Sequence, residues 1–195
     1  DNFNQRLLDN LRNGATDTTD HECRIPASDF DSADILERER QTLFARTPQP
    51  VAFSGEIPSP GSYLALQVLD VPVVLTRDEA GMLRAFINAC SHRGAQIATG
   101  SGEARHLVCP FHGWAYAADG TLRGRPQDGC FETPREDCSL SALPVSEKFG
   151  IVVVSIDAAV SQEAVDQALI DIGEHLPLQS QIAYLRRRMA KQGAG

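Results

Sequence analysis

Two short stretches constrain this chain more than any other feature: Cys90-Ser91-His92-Arg93-Gly94 and Cys109-Pro110-Phe111-His112-Gly113-Trp114, with residues 93–108 between the first histidine and the second cysteine. Each offers one thiol and one imidazole, as Cys-x-His and then Cys-x-x-His. A fold that uses them must bring two loops side by side. An asymmetric two-iron, two-sulfide centre needs two such mixed pairs: if one iron takes both cysteines and the other both histidines, each loop contributes a ligand to each metal. Two neutral imidazoles in place of thiolates leave such a centre about two charge units less negative, so it accepts an electron more readily than an all-cysteine cluster. A single zinc ion is the alternative. Structural zinc sites pair like ligands, Cys-x2–4-Cys followed by His-x3–5-His, whereas here each stretch mixes the types.

These motifs resemble the Rieske [2Fe–2S] domain of the large (alpha) subunits of aromatic ring-hydroxylating oxygenases. The resemblance extends upstream to Phe86-Ile87-Asn88-Ala89 and downstream to Trp114-Ala115-Tyr116 and the turn Asp119-Gly120-Thr121-Leu122, and covers about residues 32–156. It implies thiolate ligation of the buried iron by Cys90 and Cys109, and of the outer iron by His92 and His112, with the histidines nearer the surface on the electron's route. Arg93, Gly94, Gly113 and Trp114 then surround the cluster. Gly94 and Gly113 are expected to let backbone N–H groups approach the sulfides, Pro110 to stiffen its loop, and Trp114 to pack beneath it. Respiratory-complex Rieske proteins carry an extra cysteine in each loop; Ala95 and Phe111 stand at those positions, which fits an oxygenase-type or ferredoxin-type domain better.

At 195 residues and 42% hydrophobic, the chain can bury one or two modest cores but not a large catalytic domain beside the cluster domain. Its net charge of −8 disfavours nucleic acid or anionic membrane as a partner. No stretch approaches the ~18 apolar residues of a membrane span, and no signal-peptide core opens the chain. The start at Asp1 rather than Met is read as that of a processed, trimmed or partial product. Of five cysteines, Cys23, Cys130 and Cys138 remain, read as reduced thiols of a cytoplasmic protein. Arg93, Arg105, Arg123 and Arg125 around the motifs suggest a basic rim that steers an acidic donor.

The fold expected is mainly β with flanking helices (α+β): an antiparallel Rieske-type β-sandwich with a small cluster-binding subdomain at about 89–131. Residues 1–31 form an acidic N-terminal segment, with Phe3, Leu7, Leu8 and Leu11 at helical spacing and Gly14 as a stop. A helix runs from Ser32 to Arg46, with Leu36, Leu43 and Phe44 on one face, until Thr47-Pro48-Gln49-Pro50 ends it. Period-two strands follow at Tyr63–Val68, Val71–Arg77 and Met82–Asn88, and Leu107-Val108 leads into the second loop. His106 is read as a strand residue and not a ligand. Ile151–Ile156 is expected to return to the first sheet. Residues 157–195 form a helical segment: Ser161 caps a helix with Ala164, Val165, Ala168, Leu169, Ile172 and Leu176 as its stripe, closed by Pro177, and Ile182, Leu185 and Met189 suggest one more, carrying Arg186-Arg187-Arg188.

Oxygen activation in the resembled family needs a mononuclear Fe(II) held by two histidines and a carboxylate in a C-terminal domain. Beyond the cluster motif this chain has only His175, so that site is not expected within it and the catalytic residues are none. The resemblance therefore implies an oxidoreductase's electron-transfer part. It would take electrons singly from a ferredoxin or flavin reductase and pass them to the mononuclear iron of an oxygenase acting on an aromatic substrate, in a homotrimer or alpha/beta hetero-oligomer. The alternative is a free-standing Rieske ferredoxin-type carrier. The leading helix and the segment after residue 156 favour the oxygenase reading.

Overall fold

The computed structural model describes residues 3–16, 18 and 21–175. The expected stripe residue Leu176, its stop Pro177 and the last helix with its arginine triplet lie outside the described residues, as do the side chains of Ile172 and His175. The chain divides into two compact units, residues 1–37 and 38–195.

In the first unit, α1 (Phe3–Asn13) exposes Leu7, Leu8 and Leu11 and gives way to Gly14 in a left-handed conformation, φ +60°. A single turn, α2 (Ser28–Asp31), precedes α3 (Ala33–Glu39), where the Ser32 hydroxyl accepts the Ile35 N–H at 3.4 Å. The helix expected from Ser32 to Arg46 runs without a gap from Ala33 to Phe44 but changes character on the way. α3 ends at Glu39 and a wider π turn, Arg40–Phe44, replaces the rest. Thr42 donates its hydroxyl to the Arg38 carbonyl at 2.6 Å, a competitor of the helical ladder that favours such a defect. Leu36, Leu43 and Phe44 are exposed.

The second unit is built in layers. The central sheet has the order β5-β2-β3-β4-β9, formed by β2 (Ser62–Val68), β3 (Val71–Arg77), β4 (Leu83–Ile87), β5 (Ser101–Glu103) and β9 (Ala142–Leu143). β2, β3 and β4 match the expected strands to within a residue. A second antiparallel sheet has the order β1-β11-β10, from β1 (Gln49–Phe53), β10 (Val145–Lys148) and β11 (Ile151–Val154). The expectation that Ile151–Ile156 rejoins the first sheet is thus overturned: β11 pairs with β1 and β10 and faces the central sheet as its own layer. β1 escaped detection because Pro50 breaks the strand signal. It is tolerated since β1 is an edge strand and carries a bulge between Pro50 and Ala52.

The central strands bury side chains on both of their faces. Val73, Leu75 and Ala85 point into the core between the sheets with Val152 and Val154, while Val74 and Phe86 point the other way, into the core of the cluster subdomain. Val153 faces outward against Val165 and Leu169 of α4 (Gln162–His175). The Ser161 hydroxyl caps α4 through the Ala164 N–H at 3.2 Å, as expected, although Ala164 itself is exposed, so the stripe is narrower than its spacing suggested. Arg77 joins the layers: its guanidinium forms a bidentate pair with Glu147 at 2.8 and 3.0 Å and donates to the Ile57 carbonyl at 2.8 Å. A third sheet, β6 (Leu107–Val108), β7 (Ala115–Tyr116) and β8 (Leu122–Gly124), forms the scaffold of the subdomain.

Candidate metal centre

The two motif loops close in the same way. In the first, the Gly94 N–H donates to the Cys90 carbonyl at 2.7 Å and the Cys90 N–H to the Ala95 carbonyl at 2.8 Å; in the second, Gly113 donates to Cys109 at 3.0 Å and Cys109 to Trp114 at 2.8 Å. Both glycines hold φ +72°. A Cβ at Gly94 would meet nothing within 4 Å, so it is backbone conformation and not space that calls for glycine there. The N–H groups of these two glycines are engaged by the cysteine carbonyls, so within the described structure the glycines close their loops.

The thiols and imidazoles are brought together as two pairs. Cys90 and Cys109 are buried, and their side chains neighbour each other. His92 and His112 meet edge-on with ring centroids 4.6 Å apart, His92 half-buried and His112 exposed. Burial pushes the Cys90 thiol up, and the Tyr116 hydroxyl at 3.2 Å pulls against it. Burial first, then His112 and Arg93, press His92 toward its neutral form, the form that binds metal. His92 Nδ1 is buried without any hydrogen-bond partner. An orphaned imidazole nitrogen beside a second histidine, with two buried thiols close by, is a donor set that suits an iron–sulfur cluster. Among the described residues no three His, Cys, Asp or Glu side chains converge as one metal ion requires. Each iron of a two-iron centre takes only two protein ligands, which the pairwise arrangement provides.

The remaining residues take definite places. Trp114 is buried, as expected, and stacks on His92 with centroids 5.0 Å apart and planes within 6°. Arg93 and Arg105 are exposed, and Arg123 is exposed beside Asp119 at 3.5 Å. Arg125 does not belong to a basic rim. It is buried and paired with Asp128, because its guanidinium satisfies loop carbonyls inside the subdomain. His106 lies in an exposed bend immediately before β6, one residue outside the strand. The cysteines are unpaired; Cys130 is exposed and Cys138 buried.

Three positioning residues escaped the reading of the sequence. Tyr116, fully buried, also accepts the Ser91 N–H at 3.1 Å. Asn88 receives the Ile97 and Ala98 N–H groups at 3.2 and 3.1 Å and donates to the Ala98 carbonyl at 2.9 Å, tying the chain after the first loop to the end of β4. Phe131 stands edge-on to both His92 and Trp114. A polar Asn in an apolar strand was the one available signal.

Comparison with known proteins agrees with this geometry. Residues 47–144 match the Rieske [2Fe-2S] domain. The oxygenase subunit of carnitine monooxygenase from Acinetobacter baumannii is 33% identical over 135 residues, 68% of this chain and 36% of that protein. The large subunit of anthranilate 1,2-dioxygenase from Burkholderia cepacia is 40% identical over 105 residues, 53% of this chain and 25% of that protein. The crystal structure of a quaternary ammonium Rieske monooxygenase superposes with TM-score 0.65 at 31% identity, covering 71% of this chain and 41% of that one. The chain therefore spans well under half the length of these relatives. It belongs to the Rieske [2Fe–2S] domain family and is homologous to the alpha subunits of Rieske oxygenases.

Proposed function

We infer that this chain relays electrons one at a time through a [2Fe–2S] cluster held by Cys90 and Cys109 at one iron and His92 and His112 at the other, on behalf of an oxygenase. The observation that carries this is the orphaned, buried Nδ1 of His92, on a ring packed edge-on against a second imidazole, together with two buried thiols. The bound cluster supplies one-electron acceptance and release. The chain's own residues orient the ligands: paired loop closures set the cysteines, Trp114 holds the His92 ring, and Tyr116 offers its hydroxyl to Cys90. Exposed His112 is the point of entry or exit for the electron, toward a ferredoxin or flavin reductase on one side and a mononuclear Fe(II) on the other.

An aromatic substrate for the oxygenase served is supported by the anthranilate and 2-aminobenzenesulfonate dioxygenase relatives. A quaternary ammonium substrate is supported by the carnitine and glycine betaine monooxygenase relatives. No described helix is long and apolar enough to cross a membrane. Iron and sulfide reconstitution tests the central claim. Two irons and two sulfides per chain, reduced by one electron and lost in Cys90→Ser or His112→Ala, are expected. Stoichiometric zinc binding, or a cluster that survives both substitutions, would end this reading.

A further inference from the structure

Arg125 is a buried cation placed with unusual care. Its side chain is 4% exposed, and it donates to Asp128, to the Thr133 carbonyl at 2.9 Å and to Cys138 Sγ at 3.7 Å. The guanidinium lies over two aromatic rings, 4.8 Å from the centroid of Phe131 and 5.6 Å from that of Trp114. Trp114 in turn stacks on His92, and Phe131 stands edge-on to Trp114 and His92 at 5.3 and 5.7 Å. One layer of aromatic rings thus separates a desolvated positive charge from one of the two imidazoles.

Burying a guanidinium is costly, and an apolar side chain would fill the same space at less cost. Nor does its partner cancel it. Asp128 shares its carboxylate between Arg125 and Arg135, at 2.9 Å from the latter, so the three groups keep one net positive charge. The Arg125 plane and its donor fork suit both the ring contacts and the loop carbonyl, a combination that lysine does not offer.

We propose that Arg125 is a positioning residue of the redox centre, seating Trp114 face-on against His92 and, through its retained charge, favouring the reduced cluster. The assignment rests on the cluster reading of the four ligands. A unit charge roughly 10 Å away, at an effective dielectric of about 20, biases a one-electron equilibrium by about tenfold or somewhat more.

Two readouts test it. In the cluster-loaded protein, Arg125→Met should lower the preference for the electron about tenfold, a midpoint about 59 mV lower for one electron, while Arg125→Lys should recover most of that shift. In the cluster-free protein, fluorescence reads Trp114 alone, since it is the only tryptophan of the 195 residues. Both substitutions should change its emission. If Arg125→Met does not fold, Asp128→Asn leaves Arg125 in place with more net positive charge, and its midpoint should rise. A midpoint unchanged in Arg125→Met, or unchanged or lowered in Asp128→Asn, at wild-type cluster content overturns the charge role; unchanged emission overturns the seating role. An unmodified chain that takes up no two-iron cluster overturns the cluster reading as well, which separates the two failures.

Discussion

The hydroxyl of Tyr116 stands 3.2 Å from the Sγ of Cys90, 26 residues earlier in the chain. Because the Ser91 N–H already donates to that oxygen, the phenolic hydrogen is free to point at sulfur. Burial, together with the Cys90 contact, raises the Tyr116 hydroxyl well above its ordinary range, so it remains a donor. A hydrogen bond to a ligand sulfur stabilises the reduced, more negative state. Tyr116→Phe should keep the cluster and lower its midpoint by about 40–60 mV, the equivalent of roughly 1 kcal/mol. Redox titration checks this, and an unchanged midpoint would mean the contact carries no electronic weight.

Gly120 and Gly94 both hold a positive φ, +83° and +72°, yet differ in what a side chain would meet. At Gly94 a Cβ finds open space; at Gly120 it would lie 2.4 Å from the buried Phe86 ring. Gly94→Ala should cost about 1–2 kcal/mol from conformation alone. Gly120→Ala should cost at least about 1 kcal/mol more, because Phe86 must move within a packed core. Urea denaturation of the two variants gives the order directly, and equal losses would contradict it.

The Arg77–Glu147 pair links β3 to β10, with Arg77 11% and Glu147 26% exposed. The Arg77 guanidinium holds the Glu147 carboxyl below its usual value, against an opposing effect of burial. A carboxyl lowered in the folded state contributes stability that is present above its unfolded value, near pH 4.3, and is lost as pH falls through the folded one. Glu147→Gln should therefore destabilise by about 1–3 kcal/mol at neutral pH. As pH falls below the carboxyl's unfolded value and through its lower folded one, the difference from wild type should shrink, as followed by thermal melts across pH.

Arg93 is exposed next to His92, whereas Arg125 is inside and Arg123 is partly neutralised by Asp119. Any steering of an acidic electron donor then falls mainly to Arg93 and Arg105. Arg93→Glu should slow reduction by such a donor several-fold at low ionic strength, and the difference should fade near 0.5 M salt. Stopped-flow rates that match wild type at low salt would remove the steering role.

Much of this protein was legible in local pattern. Mixed Cys/His loops marked the two thiols and two imidazoles that the fold brings together as pairs, and alternation located β2, β3 and β4. Asp119-Gly120 marked the β7–β8 hairpin, and Ser161 the start of α4. Each of these depends on neighbours within a few residues, where sterics and hydrogen-bonding rules act directly on the sequence.

Tertiary structure decided the rest. Whether Arg125 joins a solvated rim or an aromatic cage depends on Trp114, Phe131 and Cys138 arriving from different loops, and an arginine's own neighbours do not encode that. β11 is an apolar strand that either sheet could pair; only the bulged edge strand β1 and the hairpin partner β10 assign it to the second layer. The same holds for Tyr116, whose side-chain direction follows from the period of β7 but whose meeting with Cys90 requires the two loops to fold together. Side-chain chemistry is local, whereas burial and long-range contact arise only when separated segments share one core.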